Sequence, residues 1–139
     1  MTNVAWEVQT AVYAALIANP DVQAIVGSPA RIFDAIPDDV AFPFVQLGAT
    51  QMKALPGSEG GIEHLLRITI FSRWGGRSES KHIAGTIRSV LQNAELPLTD
   101  HTMVLSRLVF EDHLRLRDPD TFQASMRFRI VTMPEEVAV

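Results

Sequence analysis

Apolar residues recur along this chain at two different periods, and the switch between them marks its elements. Over residues 62–71, Leu66, Ile68 and Ile70 fall on one face while Arg67 and Thr69 alternate onto the other. That is the period of a half-buried strand. Leu65 and Phe71 make the second face only partly polar, so its ends are expected to be covered. Paired glycines at residues 75–76 then break the pattern, because glycine adopts backbone angles that other residues resist. Ser78 is expected to cap a helix, with Glu79 at the positive end of its dipole. Ile83, Ile87, Val90 and Leu91 follow at helical spacing, with Lys81, Arg88 and Gln92 off the stripe. A strand and a helix with one apolar face each must bury those faces together. This pair predicts the nucleus of the fold.

The same reading extends in both directions. Residues 4–18 carry Val4, Val8, Ala11, Val12 and Ala15 at helical spacing behind Asn3, a capping residue type. Trp6, Tyr13 and Ile17 broaden that apolar surface, as in a wide core helix or one whose edge meets another subunit. Asn19 and Pro20 end it, and Pro20 to Val26, closed by Gly27, predict a short second helix. Short strands are expected over residues 31–35 and 44–48, the second entered through Pro43. Residues 51–61 hold Pro56, Gly57, Gly60 and Gly61, and predict a mobile hairpin loop that becomes ordered in an assembly. Their glycine spacing fits neither phosphate-binding motif, and no helix follows.

Beyond Pro97, residues 103–110 predict a strand with Val104, Leu108 and Phe110 on one face and Ser106 as its polar exception. Glu111, Asp112 and His113 mark an irregular bend, after which Leu114 and Leu116 alternate with His113, Arg115 and Arg117. Asp118, Pro119, Asp120 and Thr121 form a turn signal. The returning strand is the clearest in the chain. Phe122, Ala124, Met126, Phe128 and Ile130 share one face, and Gln123, Ser125, Arg127 and Arg129 the other. Residues 1–3 and 133–139 read as loose termini of a single domain covering residues 1–139. The expected class is α+β: an antiparallel sheet of about four to five strands with two main helices packed on one face.

Composition narrows the function. A chain of 139 residues, 47% hydrophobic and 20% charged, buries roughly two thirds of its unfolded surface and is not a disordered type. It has no cysteine, so disulfides and thiolate metal sites are excluded, which fits a reducing cytoplasm. The start lacks the basic segment of a secretory signal, and no apolar run approaches the length that spans a bilayer. No membrane partner is expected. A net charge of −4 argues against general nucleic-acid binding. Ten of the twelve basic residues are arginine, concentrated from Arg67 onward; arginine suits planar, partly desolvated ion pairs at interfaces.

No catalytic constellation is evident. His64, His82, His101 and His113 lack metal-ligand spacing, and there is no nucleophile elbow. Glu111, Asp112 and His113 are the densest polar cluster, which reads as a solvated bend rather than a site. Asp38 and Asp39 follow Pro37 in a turn, where aspartate is common for backbone reasons.

The order of elements and the flavour of the segments resemble the phage tail completion, or tail terminator, family, found also in prophages and gene transfer agents. The carriers are the run from Ala11 to Leu16, Val26 with Gly27, and the run from Arg31 to Pro37. Phe42 to Gly48, Leu66 to Ser72, Ala84 to Leu91 and Phe122 to Val131 complete them, so that residues 4–131 are covered. Trp74, Gly75 and Gly76 belong to no fixed family pattern. The resemblance implies a virion tail component assembled in the bacterial cytoplasm. It implies a hexameric ring that caps the tail tube, stops its polymerisation and presents a surface to the head. The implied partners are other copies of the chain, the tail tube protein and a head–tail connector protein, with DNA only passing through the channel. It implies no enzyme activity and no cofactor. Another head–tail connector component is the neighbouring alternative. A small α+β enzyme or ligand-binding domain using His113 and Glu111 is the alternative of a different class.

Arg115, Arg117, Arg127 and Arg129 are expected on one side of the terminal hairpin, where like charges on adjacent strands need carboxylates to neutralise them. Those carboxylates could come from this chain, a ring neighbour or a head or tube protein. Phosphates of DNA are the remaining source, and protein is favoured because the chain is acidic and arginine forks match carboxylates. With Met52, Lys53, Leu55 and Glu59 of the loop, these arginines are the candidate interface residues.

Overall fold

Two asparagines open the first two helices. Asn3 accepts the Trp6 backbone N–H at 3.2 Å and starts α1 (Val4–Ala18). Its buried side is Val4, Val8, Val12 and Leu16, four residues on a single stripe because every fourth residue nearly superposes along a helix. Ala11 and Ala15, expected on that stripe, are only partly buried, and Trp6 and Tyr13 point outward. Asn19 accepts the Asp21 and Val22 N–H groups at 2.9 and 3.1 Å, which starts α2 (Pro20–Val26). Gly27, at φ 98°, ends it.

The computed structural model describes residues 3–73, 76–117 and 120–135. After α2 the chain forms β1 (Ile32–Phe33), β2 (Phe44–Ala54), β3 (Ile62–Arg73), α3 (Gly76–Leu91), β4 (His101–Arg115) and β5 (Thr121–Pro134). One five-stranded sheet has the order β1-β2-β3-β5-β4. Strand β1 runs parallel to β2, and the other pairings are antiparallel. Because β3 and β4 are both antiparallel to β5, they run parallel to each other with β5 inserted between them. Helix α3 makes that crossover, which is a split β-α-β unit.

All three helices pack on one face of the sheet. Val45, Leu47, Leu66, Ile68, Ile70, Ala124, Met126, Phe128 and Ile130 meet Ile83, Ala84, Ile87 and Leu91 of α3 and the buried stripe of α1 in a single core. Strand β5 is therefore the central element of the crossover, with Ala124, Met126, Phe128 and Ile130 buried on its helix side. Across the structure, Glu7 of α1 fixes the approach to β4. Its carboxylate accepts the Thr99 and Asp100 N–H groups at 2.6 and 3.2 Å and meets His101 Nδ1 at 3.1 Å.

Several expectations need correction. Residues 51–54 are not loop but strand: β2 continues through Gln51 to Ala54, paired with Leu65 to Ile62 of β3. Only residues 55–61 form the turn, closed by a Leu55 N–H bond to the Gly61 carbonyl at 2.9 Å. The helix begins at Gly76, so Ser78 lies inside its first turn rather than capping it. Glu79 instead accepts from the Ser72 hydroxyl. The strand expected over residues 31–35 is only two residues long. Strand β5 runs to Pro134, and the Glu135 N–H reaches the Asp100 carbonyl at 3.1 Å, so residues 133–135 are held. The expected turn through Asp118 and Pro119, and the rest of the tail, lie outside the described residues.

Candidate functional site

The hairpin of β4 and β5 departs from simple alternation at two points. Its register shifts between Met103 and Leu105 and again between Leu108 and Phe110, which leaves Val104 and Val109 as extra residues. A bulge of this kind inserts one residue and reverses the faces beyond it. Leu108 therefore sits opposite Phe128 on the helix side, while Phe110 sits opposite Arg127 on the open side. Val104 and Val109 are exposed. Ser106 is on the helix side, fully covered, and donates to the Leu91 carbonyl at 2.8 Å.

The bulge at Val109 changes the membership of the arginine face. Arg115 lies opposite Phe122 on the helix side, with its guanidinium 5.9 Å from the Phe122 ring centroid. It does not share a face with Arg127 and Arg129. Arg117 lies beyond the end of β4 and is exposed. In their place the register brings in two other arginines. Arg67 of β3 stands directly opposite Arg127 of β5, and Arg107 of β4 stands directly opposite Arg129. Four arginines from three adjacent strands thus occupy the face away from the helices. Among the described residues, Arg67, Arg107 and Arg127 form no ion pair with a carboxylate.

What each arginine does differs. Arg127 lies over the Phe110 ring at 5.0 Å, a cation–π contact. Arg129 Nε donates to Glu63 Oε2 at 3.0 Å, and Lys53 Nζ lies 3.6 Å from the other oxygen. The Arg129 bond holds the Glu63 carboxyl below the usual carboxylate range, against the opposing effect of desolvation, with Lys53 adding to it. The stem of Arg67 crosses Gly48, where a Cβ would lie 3.7 Å from the Arg67 Cβ and Cδ. Arg67 and Arg127 line one shallow concavity with Ala49, Gln51, Leu65 and Leu66.

Sequence reasoning placed Arg67 outward but did not join it to Arg127, since pairing partners across strands are not written locally. Arg107 joins this face through its pairing opposite Arg129, which only the strand order reveals. Of the loop candidates, Lys53 joins this face beside Glu63. Met52 points to the opposite side, opposite His64, and is exposed. Leu55 opens the turn half-buried, and Glu59 is exposed within it.

Aromatic rings close the other end of the open face. Phe44 stacks on Phe71 with centroids 4.9 Å apart, Phe42 meets Phe44 edge-on at 5.0 Å, and Arg73 lies 4.1 Å above Phe42. These rings cover the end of β3 where Phe71 breaks the polar alternation, as the sequence requires.

The polar cluster around His113 is built into the packing. His113 Nε2 meets Glu111 Oε2 at 2.7 Å, and Nδ1 lies 3.2 Å from the Ser80 hydroxyl. Ser80 is completely covered and bonds to the Arg77 carbonyl at 3.2 Å. A hydroxyl so enclosed and so engaged does not meet a substrate, and the trio ties α3 to β4. Among the described residues no group of histidine and carboxylate side chains could hold a metal ion, and no helix is long and apolar enough to cross a membrane.

The open face displays its arginines across a sheet rather than gathering them into a cleft. The comparisons sharpen this. Residues 10–133 match the family of the tail completion protein gp17, and the chain belongs to that family. The family is structural and non-enzymatic. No curated protein matches by sequence. Among solved structures, a chain from the virion of a native gene transfer agent particle superposes with a TM-score of 0.84 at 25% identity, over 95% of this chain and 98% of that one.

Proposed function

We propose that several copies of this chain close into a ring that caps the tail tube, ends tail polymerisation and joins the tail to the head in a phage or gene transfer agent virion. The observation that carries this reading is the match to the tail completion family over residues 10–133. The likeness to a chain of a gene transfer agent virion over nearly its full length supports it. The sheet supports repetition round an axis. Strand β1 pairs only with Val45 and Gln46 of β2, and β4 is the far edge strand, so both edges offer unpaired backbone. Different edges meeting head to tail give a heterologous contact, which makes a ring where its rotation closes. A hexamer is the stoichiometry proposed, with the tail tube protein and a head–tail connector as the neighbours above and below and DNA passing through the channel.

The test is to remove the gene from a producing strain and examine particles by electron microscopy. Tails of abnormal length, or tails separate from heads, are expected, with normal particles restored by the intact chain. Normal particles in the deletion strain would overturn the reading.

A further inference from the structure

The open face carries a charge surplus that the chain itself leaves unanswered. Arg67 and Arg127 face each other directly, and Arg107 faces Arg129. Of these only Arg129 has a carboxylate partner within the described chain, Glu63. Like charges directly opposite on neighbouring strands destabilise a sheet, so an anionic partner gains twice, by pairing and by relieving repulsion.

A surplus of the other sign lies at the far edge of the same sheet. Between Arg31 and Lys53 the chain has three carboxylates, Asp34, Asp38 and Asp39, and no basic residue. All three are exposed, and none forms an ion pair among the described residues. The connection that carries them, between β1 and β2, is held at its ends. Arg31 Nε donates to the Pro43 carbonyl at 2.9 Å, and Phe42 is clamped between Phe44 and Arg73. The connection that presents the carboxylates is therefore fixed at both ends, which limits the ordering entropy that opposes their docking.

From this complementarity we infer that the Asp34, Asp38 and Asp39 projection of one copy docks on the Arg67, Arg107 and Arg127 face of the next copy. The two patches lie toward opposite edges of one sheet, the acidic one beside β1 and the basic one over β3, β5 and β4. Each contact therefore uses one patch from each copy and leaves the other two free to repeat, which is the head-to-tail arrangement. Arginine forks bind carboxylates in bidentate fashion, and Phe110 and Leu114 between them supply apolar surface that a phosphate backbone would not use. The inference rests on the proposed ring and names its subunit contact.

The absence of cysteine allows a clean test in the full chain. Gln51→Cys lies beside Arg67 and Arg127, and Ala35→Cys lies beside Asp34. With a short bifunctional maleimide, the chain carrying both substitutions is expected to give a ladder of dimers, trimers and larger species joined from residue 35 to residue 51. Either substitution alone gives no ladder. Reversing Arg67 and Arg127 to glutamate lowers the ladder by about tenfold, the scale of one close interfacial charge pair. Adding Asp38→Arg and Asp39→Arg to that reversed chain restores it. No 35-to-51 linkage, linkage only between identical positions, or a reversed chain that stays unrestored would overturn the contact. So would a face that binds duplex DNA in an Arg67-dependent way without self-linking. Incorporation into particles is scored separately: a chain that completes tails without the 35-to-51 link keeps the ring and loses this contact.

Discussion

Arg67 and Arg127 stand opposite each other on neighbouring antiparallel strands, and no carboxylate of the described chain lies between them. Beside Arg67 the chain places Gly48, where a Cβ would meet the arginine stem at 3.7 Å and press most closely, at 3.3 Å, on the Arg67 carbonyl oxygen. Two positive charges at that spacing cost stability in the isolated subunit. Their joint exposure on a rigid face is understandable where a partner supplies the neutralising charge, which is the setting of a virion component.

The closure of α3 makes a first prediction. Ser106 is the one polar residue on its stretch of the core face, and its hydroxyl satisfies the Leu91 carbonyl at the last turn of the helix. The Asn93 N–H bonds back to the Ser106 carbonyl at 2.8 Å. Ser106→Ala removes one of two donors to the Leu91 carbonyl, which keeps the Ala94 N–H at 3.2 Å, and is expected to cost about 0.5–1.5 kcal/mol, read by urea unfolding with an unchanged slope. A loss near zero would show that the Ala94 N–H alone satisfies that carbonyl.

That serine also shows what the sequence could and could not display. The stripes of α1 and α3 and the alternation of β5 were legible because each element repeats its own period over three or more turns or pairs. Ser106 read as an exception because its partner is a helix carbonyl fifteen residues away. The bulge at Val109 was not legible. One extra residue changes no composition, yet it carries Arg115 to the helix side and Phe110 to the open side. Residues 51–54 looked like loop because β2 there extends beyond the helices, so Gln51, Met52 and Lys53 are exposed on both faces and no alternation is selected. Of the interface candidates, Arg127 and Arg129 followed from the local period, whereas Arg67 and Arg107 needed the strand order.

Burial of His64 predicts acid sensitivity. Its ring is wholly covered, with Nε2 on the Thr132 hydroxyl at 3.0 Å and no partner for Nδ1. Burial pushes its pKa down from the usual 6.5, and the nearby His101 charge adds to the effect. The unfolded chain therefore takes up the proton first as pH falls. The stabilising contribution is complete above 6.5, declines below it, and levels off once the folded ring also protonates. A thermal midpoint that drops as the pH falls below 6.5 is expected. The paired substitution of His64→Leu with Thr132→Val should flatten that slope. An unaltered slope would assign the acid sensitivity to other groups.

The turn between β2 and β3 gives a graded prediction. Gly57 and Gly60 have nearly equal backbone angles, φ 79° and 80°, but different surroundings. A Cβ at Gly57 meets nothing within 4 Å, whereas one at Gly60 would lie 2.8 Å from Pro134 Cγ. Gly57→Ala is expected to cost about 1 kcal/mol from left-handed backbone strain alone. Gly60→Ala should cost more, about 2 kcal/mol or above, because strand β5 must also shift. Equal losses in calorimetry would show that Pro134 does not brace the arm.

The last prediction separates stability from assembly at Arg67. If the Arg67 and Arg127 pair is kept for a partner, removing one charge should relieve the free subunit while harming the particle. Arg67→Gln retains most of the stem over Gly48 and has no aromatic contact to lose, unlike Arg127 over Phe110. The isolated variant is expected to gain a few tenths of a kcal/mol at low salt, the scale of a cross-strand charge pair. Added salt should raise the thermal midpoint of the natural chain and narrow the difference, because screening weakens the same repulsion. Arg67→Lys keeps the charge and should show no gain. In particles, Arg67→Gln should lower tail completion although the subunit is more stable, and Arg67→Lys should lie between it and the natural chain since lysine lacks the planar fork. A less stable Arg67→Gln subunit would mean that the arginine is already neutralised within its own chain. Full tail completion by that variant would mean that no partner uses the charge.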